Sequence, residues 1–257
     1  MVLIHCKYKG EEHSFLYETT VEINVKDLIK ELVEVHNLRL RLQRLKSEGD
    51  DLASHGPCKP LDKQGLDEDI QAEADGIELP PRGPTYCKDP IGKRTGDAPV
   101  TPAQATLRKA LDDAAAAASK KQVEAKHPLT KKELMEHIDL IRGAVMIAYP
   151  MGLPEYDPVR IGEFIFIRAL TGNQTDVVFF SFTDIEEDEA PSETPIGIDI
   201  LDENAQLWWA GKQMLPGNKL SVHVGKNEKT KIVAKLTKKG SGAPQRENPV
   251  TPEVRLF

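Results

Sequence analysis

Hydrophobic and polar residues alternate at the start of the chain. In the stretch VLIHCKY, the residues Val2, Ile4, Cys6 and Tyr8 share one face of a two-residue period, and SFLYETT follows the turn KGEEH as a second strand. A helical period comes next in VKDLIKELVEVHN, and LRLRLQRL then alternates again. This pattern predicts strand, turn, strand, helix and strand within residues 1–48.

This order of elements opens a β-grasp, ubiquitin-like sheet, in which a helix crosses over and the chain returns to pair centrally. Prolines and glycines interrupt the following stretch, residues 49–100. Parts of residues 49–80 are candidates to complete the sheet. Residues 81–100 are interpreted as a linker or as a loop that wraps the surface.

A helical period returns in residues 101–150. Thr101 is suited to cap a helix and Pro102 to occupy its first position, and an alanine-rich run of high helix propensity follows. A second apolar stripe begins at the capping box formed by Thr130 and Glu133. We expect the two segments to form a helical hairpin whose shared apolar face is a second core.

Residues 151–201 are interpreted as a loop with a divergent insertion. The phenylalanine-rich runs at 164–167 and 177–182 are typical of a hairpin. The acidic run at 184–193 lacks the alternating oxygen ligands and the fixed glycine of a calcium loop. A solvated loop is therefore the preferred interpretation of the acidic run.

The last part of the chain, residues 202–242, is interpreted as C-terminal helices with a basic segment. The stretch DENAQLWWAGKQML forms the first of them, and the second begins near Asn227 and ends at Gly240. Residues 243–257 form an exposed tail in this interpretation. The predicted fold class is α+β, with an N-terminal β-grasp (ubiquitin-like) unit followed by a mainly helical region with extended loops.

Composition favours small folded units joined by exposed segments. Hydrophobic residues make up 39% of the 257 residues, below the ~45–50% of a typical globular domain. The apolar start gives way to His5 and Lys7 too early for a secretory signal, and no apolar run approaches the ~18 residues of a membrane span. Three widely separated cysteines are typical of a reducing intracellular compartment.

Charge is unevenly distributed along the chain. Residues 219–246 contain eight lysines and arginines against the single acid Glu228, although the formal net charge of the whole chain is -7. This basic segment is interpreted either as a nucleic-acid arm or as the basic part of a protein docking surface. The segment contains no aromatic residue for base stacking, which disfavours nucleic-acid binding and leaves it as the alternative.

The tryptophan pair Trp208 and Trp209 is a second candidate for partner binding. Adjacent residues of a helix lie ~100° apart, so the two rings cannot both point squarely into one core, and one of them is a candidate for partial exposure. Either both are buried at a broad packing seam, or one anchors a partner. The partner-binding hypothesis comprises Trp208, Trp209, Lys229, Lys231 and Lys235.

Motifs of catalysis and of metal binding are absent from the sequence. There is no phosphate loop, no GxGxxG, no HExxH and no C-x-x-C, and the seven histidines lack metal-ligand spacing. We therefore expect no enzyme activity, no catalytic residue, no metal and no cofactor. Scattered catalytic groups would leave no such motif.

Several long strings resemble one family. RGAVMIAYPMGLPEYDPVR (142–160), AQLWWAGKQM (205–214) and VGKNEKTKIVAKLTKKGSGAPQRE (224–247) are similar to blocks of the cilia- and flagella-associated protein 298 (Kurly) family. The strings MVLIHCKYKG, LQRLKSE, KDPIGKRTGDAP and SKKQVEA resemble further blocks of that family, in the family's order. The chain departs from the family pattern between Arg160 and about Leu201, and again after Glu247.

The resemblance implies a non-enzymatic factor of motile cilia. It implies a role in outer dynein arm assembly together with cytoplasmic dynein-arm assembly factors, and a role in cilium positioning and planar polarity. The implied locations are the cytoplasm, the cilium and the basal body. The implied partners are proteins, and no membrane is implied.

Overall fold

The computed structural model describes residues 1–10, 13–65, 82–160, 199–202 and 204–244. The chain divides into two compact units. The first unit consists of Met1–Asn37, Lys120–Lys131 and Leu201–Phe257, and the second consists of Leu38–Ser119 and Lys132–Ile200.

Within the described residues, the first unit contains a five-stranded sheet. Its strands lie in the order β2-β1-β5-β3-β4; β1 is antiparallel to β2 and parallel to β5, and β5 is antiparallel to β3. The strands are β1 (Val2–Tyr8), β2 (Phe15–Thr19), β3 (Gln206–Trp209), β4 (Lys212–Gln213) and β5 (Lys231–Thr237). The mixed sheet and the helices described below confirm the α+β class. The strand order and the parallel central pair are compatible with the predicted β-grasp.

The predicted N-terminal hairpin is confirmed, but the sheet is completed from an unexpected place. The described part of residues 49–80 continues a helix and a loop, and the C-terminal region supplies β3, β4 and β5 instead. β5 lies between β1 and β3 because Ile232, Ala234 and Leu236 alternate strictly and are all buried.

The helix α1 (Val25–His55) is longer than the sequence pattern predicts. The strand predicted at Leu38–Leu42 is wrong, since α1 continues through it without a break. Leu38 and Leu42 are four residues apart, so the same leucines also fit a helical stripe that runs on to Leu45 and Leu52. Arg39, which the strand pattern places outward, is buried and donates from Nε to the Ala118 carbonyl oxygen at 3.0 Å.

Both helices predicted at the C-terminal end are also wrong. The first is the β3–β4 hairpin, with Trp209 paired with Lys212 across the two-residue turn Ala210–Gly211. Both turn residues have positive φ, 50° and 78°, as a type I′ hairpin turn requires. The second is β5, where Ile232 and Leu236 fit a helical and a strand period equally well. Pairing on both edges of β5 decided between the two periods.

The second unit contains the C-terminal half of α1 and two further helices, as predicted for residues 101–150. These are α2 (Thr101–Ala118) and α4 (Lys131–Ala148). The predicted cap at Thr101 is wrong, because Val100 is the N-cap residue and Thr101 already lies in the helix. Gly49 of α1 lets α2 approach closely, since a Cβ at Gly49 would lie 2.6 Å from Leu111 Cδ2.

Shorter elements complete the description. The short helices are α3 (Lys121–Glu124) and α5 (Leu220–Val224), and a 3-10 turn covers Leu61–Lys63. No helix in the described ranges has the length and apolar character needed to cross a membrane. The predicted hairpin at 164–182, the acidic run at 184–193 and almost all of the tail at 243–257 lie outside the described residues.

Candidate docking surface

Strand β5 separates its side chains onto two faces of the sheet. Ile232, Ala234 and Leu236 are buried on the face that packs on the core. Lys231 and Lys235 alternate with them and flank Val233, which is 50% exposed. The side of the sheet that carries Lys231, Val233 and Lys235 is named the open face below. An exposed apolar residue between two lysines is an arrangement that could receive an acidic partner with an apolar contact residue.

The neighbouring strand β3 adds Trp208 to the open face. Trp208 lies directly opposite Lys235, and Trp209 lies opposite the buried Ala234. Cross-strand partners share a face, so the two tryptophans point to opposite sides of the sheet. The Trp208 indole N–H donates to Thr237 Oγ1 at 3.0 Å, which orients the half-buried ring. The two rings diverge because of the two-residue period of a strand, whereas the sequence analysis relied on the ~100° step of a helix, which does not form here.

On its other side, β5 pairs with β1. Leu3 lies opposite Lys231 and His5 lies opposite Val233, and both are half-buried. Lys7 lies opposite Lys235 and is buried, so this face is exposed mainly around Lys231 and Val233. Leu3, His5 and Val233 were missed by the sequence analysis, because the lysine-rich stretch was interpreted as a helix. The strict alternation in KIVAKLT is the signal that would have identified Val233.

Lys229 lies outside the strand, in the turn that precedes β5. Its backbone N–H donates to Asn227 Oδ1 at 3.0 Å, and the Thr230 hydroxyl donates to the Asn227 carbonyl oxygen at 2.7 Å. Glu228 in the same turn forms an ion pair with the amino group of Met1 at 3.3 Å. The structure therefore places Lys231, Lys235 and Trp208 together, Lys229 at the end of their strand, and Trp209 on the other face.

A buried charged network of the second unit, centred on Arg94, has a different role. Arg94 is 3% exposed, and its guanidinium donates to the carbonyl oxygens of Gly56 at 2.9 Å and Glu48 at 3.0 Å. The same guanidinium forms ion pairs with the carboxylates of Glu48 at 3.2 Å and Asp157 at 3.5 Å. Every one of these contacts lies within the second unit.

Asp157 completes this buried network. Its carboxylate is fully buried and accepts hydrogen bonds from the backbone N–H groups of Cys58 at 2.9 Å and Val159 at 3.0 Å. The strings KDPIGKRTGDAP and GLPEYDPVR meet here, and Arg94 and Asp157, one from each string, serve the packing of loops. Burial raises the pKa of the Cys58 thiol to about 11, which keeps the thiol protonated and a poor nucleophile.

No group of three or more histidine, cysteine, aspartate or glutamate side chains suited to a metal ion occurs among the residues that the structure describes. The open face offers a partly exposed valine, an oriented indole and the side chains of Lys231 and Lys235. Groups of these kinds recognise acidic and apolar side chains.

Comparison with known proteins connects this region to one family. The family model described as Cilia- and flagella-associated protein 298 matches residues 205–256, which contain β3, β4 and β5. That match continues past Glu247, although the sequence analysis placed a departure from the family there. No solved structure matches the chain significantly.

Curated relatives match nearly the whole chain. Cilia- and flagella-associated protein 298 of Danio rerio is 39% identical, over 98% of this chain and 81% of the relative. The protein 298-A of Xenopus laevis is 41% identical over 98% and 82%, and that of Homo sapiens is 40% identical over 96% and 80%. The chain therefore belongs to the cilia- and flagella-associated protein 298 family.

Proposed function

We propose that this protein is a non-enzymatic factor of motile cilia that acts as an adaptor or assembly factor for outer dynein arms. The observation that carries the proposal is its similarity to relatives named cilia- and flagella-associated proteins over nearly its whole length. Its partners are cytoplasmic dynein-arm assembly factors, and it acts in the cytoplasm and at the cilium and basal body. The proposed function also includes a contribution to cilium positioning and planar polarity.

The open face is the docking surface in this proposal. Lys231 and Lys235 attract an acidic partner, and Trp208 beside Lys235 supplies aromatic contact area. Lys229 extends the positive charge beyond the end of β5. Charges arranged in this way accelerate encounter and select against basic partners more than they add affinity. Trp209 lies on the core-facing side of the sheet, where it packs behind β3 and does not contact the partner in this proposal.

The two kinds of residue contribute differently to binding. Tryptophan is enriched among interface residues whose truncation costs about 2 kcal/mol or more. Exposed lysines form ion pairs that contribute roughly 0.2–1 kcal/mol each. Trp208 is therefore the residue of the open face whose loss weakens the complex most, and the lysines mainly set the preference for an acidic partner.

Removal of the gene from the ciliated cells that express it tests the function. The proposal expects the outer dynein arms to be missing from axonemes in electron micrographs and the cilia to beat poorly. The wild-type protein restores both, and Trp208→Ala restores them incompletely. Intact arms and normal beating in the cells without the gene would refute the proposal.

One observation favours nucleic-acid binding as the second candidate. The aromatic residue that the basic segment lacks is supplied across the sheet, where Trp208 lies opposite Lys235. Stacking on an aromatic ring beside lysines is how many proteins bind single strands. A nucleic-acid complex would weaken steeply as salt rises, since each phosphate contact releases counterions. Absence of binding to single-stranded RNA or DNA at about 50 mM salt excludes this function.

A further inference from the structure

The turn that joins α5 to β5, residues 225–231, carries three exposed lysines and is named the lysine turn. We infer that the lysine turn binds a flexible, glutamate-rich segment of a partner protein. This inference rests on the proposed function, because Lys229 and Lys231 belong to the docking residues named there. It specifies the chemistry of the partner and adds Lys226 to the site.

The charge around the lysine turn indicates an acidic ligand. Three of its lysines form no ion pair with any residue that the structure describes: Lys226, Lys229 and Lys231. Glu228 in the turn is paired with the amino group of Met1 at 3.3 Å, and Glu22 is paired with Lys219 at 2.8 Å. The pKa of Glu22 is lowered mainly by Lys219 and further by the charge of Lys226, so positive charge exceeds negative charge here. The carboxylates of a partner are complementary to this excess.

The backbone of the turn is held without any use of the lysine side chains. Asn227 Oδ1 accepts a hydrogen bond from the Lys229 backbone N–H at 3.0 Å, and the Thr230 hydroxyl donates to the Asn227 carbonyl oxygen at 2.7 Å. The Leu3 N–H donates to the Thr230 carbonyl oxygen at 3.1 Å, which ties the turn to the start of β1. The turn is therefore ordered before a partner arrives, and the entropic cost of binding falls mainly on the partner and on the lysine side chains.

The exposure of the turn favours a flexible ligand. Residues 225–229 are all exposed, as expected of a turn that projects from the surface. A helix or a strand presents its acids along a straight line, whereas side chains on a turn diverge. A flexible segment brings a carboxylate to each lysine separately, and disordered segments are suited to wrapping around such surfaces.

The composition of the turn favours carboxylates over nucleic acid. Residues 225–231 contain no aromatic residue on which a base could stack and no arginine, whose planar fork matches phosphate. Trp208 lies opposite Lys235, which is about 13 Å along β5 from Lys231. An acidic segment of a protein is therefore the occupant that the turn fits best.

Titration of the full chain with synthetic peptides tests the inference, followed by fluorescence anisotropy of the labelled peptide at about 50 mM salt. The first peptide consists of four Glu-Glu-Gly repeats, in which glycine prevents a stable helix, and the second consists of four Gln-Gln-Gly repeats. The first is expected to bind about tenfold or more tightly than the second, and to weaken as salt rises. Equal binding of the two, or binding of neither, would overturn the inference. Tighter binding of a helical peptide with the same number of glutamates would overturn the choice of a flexible ligand.

Substitutions in the turn give the matched protein variants. Lys226→Glu/Lys229→Glu is expected to lose about tenfold or more in affinity for the Glu-Glu-Gly peptide. The control Lys109→Glu/Lys132→Glu makes the same change of charge at exposed positions of the second unit and leaves binding unchanged. Equal losses for the two variants would reduce the binding to net charge and overturn the site.

The acid of the turn allows a test in the opposite direction. Glu228→Gln removes that acid and is expected to tighten binding of the Glu-Glu-Gly peptide about twofold. A variant that folds poorly cannot produce such a gain, so this measurement decides the matter if the double reversal at Lys226 and Lys229 does not fold. Unchanged or weaker binding by Glu228→Gln would contradict the inference.

The same variants separate failure of this inference from failure of the proposed function. If removal of the gene abolishes the outer arms but Lys226→Glu/Lys229→Glu restores them fully, the docking site is wrong and the ciliary function stands. If the peptides and variants behave as expected but removal of the gene leaves the arms intact, the function is wrong and the docking site stands. Tighter binding of single-stranded RNA than of the Glu-Glu-Gly peptide would assign the turn to nucleic acid and overturn the inference.

Discussion

Arg94 and Asp157 of the second unit point inward, whereas Lys231 of β5 points outward. Arg94 and Asp157 are almost completely buried, and hydrogen bonds and ion pairs within the unit occupy both. Lys231 is exposed at the start of β5, next to the half-exposed Val233. Both regions lie in strings that resemble the same family, so resemblance alone does not distinguish them.

The difference shows which of these strings can be explained by the requirements of folding alone. A buried ion pair with its hydrogen bonds satisfied holds loops in a single arrangement, and no ligand is needed to account for it. An apolar residue left half-exposed between two lysines gains little for the folded state. We therefore assign the Arg94 network to structure and the open face to binding. Four predictions test that division, and they are ordered by expected effect.

The largest effect is expected for Arg94→Met. This change removes the partner of two carboxylates, Glu48 and Asp157, and leaves Asp157 buried without its counter-charge. The loss of unfolding free energy should be about 3–5 kcal/mol, measured by urea denaturation followed by circular dichroism. Arg108→Met is the control: Arg108 is exposed, and the change should stay within about 0.5 kcal/mol. Equal losses for the two variants would contradict a structural role for the network.

The second-largest loss of stability is expected when Gly56, the residue that follows α1, is replaced. Gly56 has φ of +78°, and a Cβ there would lie 2.4 Å from the Asp97 carbonyl oxygen. Gly56→Ala should therefore cost about 2–3 kcal/mol, from the strained backbone and the displaced loop together.

The control for that glycine is Gly152→Ala. Gly152 has φ of +82°, but a Cβ there meets nothing within 4 Å. Its replacement should cost only about 1 kcal/mol, the cost of the backbone conformation alone. Thermal unfolding of the two variants measures the difference, and a cost for Gly56→Ala no greater than that for Gly152→Ala would show that the loop around Asp97 is pliable.

A smaller, pH-dependent loss of stability is expected when Asp89 is replaced. Burial by itself would raise the pKa of Asp89, but hydrogen bonds from the backbone N–H groups of Ile91, Arg94 and Lys93 outweigh it and hold the pKa below its usual value. A lowered folded-state pKa gives a stabilisation that is complete above the unfolded-state value of about 3.9. It is lost as the pH falls through the lower folded-state value.

Asp89→Asn measures this contribution. The variant should be less stable than the wild-type protein at pH 7, and the two proteins should approach each other in stability as the pH falls below about 3.9. Urea unfolding at a series of pH values follows the difference. A difference that does not change with pH would mean that the charge of Asp89 is not what stabilises the loop.

The smallest effect on stability is expected on the open face. Lys231→Gln should change the unfolding free energy by no more than about 0.5 kcal/mol, because Lys231 is exposed at the end of β5. The same variant should bind the acidic partner of the proposed function measurably less well than the wild-type protein does. A loss of stability comparable to that of Arg94→Met would mean that Lys231 serves the fold, and the division between the two regions would fail.

The sequence predicted those elements whose period is unambiguous. The hairpin of Val2–Tyr8 and Phe15–Thr19 alternates clearly, and the helices at 101–118 and 131–148 have long apolar stripes. Three other stretches, 38–45, 202–215 and 227–240, were assigned the wrong element. Leu38 and Leu42, and likewise Ile232 and Leu236, lie four residues apart, a spacing that fits a strand and a helix alike. The prediction of the candidate site was affected by the same error. Two separate predicted helices do not determine where Trp208 lies relative to the lysines.

By itself the sequence determined the family, the α+β class and the concentration of lysines near the C-terminal end, because these depend on composition and local pattern. The tertiary structure decided which of those residues face the same way. Pairing of β5 with β1 and β3 joins segments that are distant along the chain, and that pairing set Lys231, Val233, Lys235 and Trp208 on one face. A local pattern cannot encode that choice, since its free energy comes from the burial of Ile232, Ala234 and Leu236 against strands that lie elsewhere in the sequence.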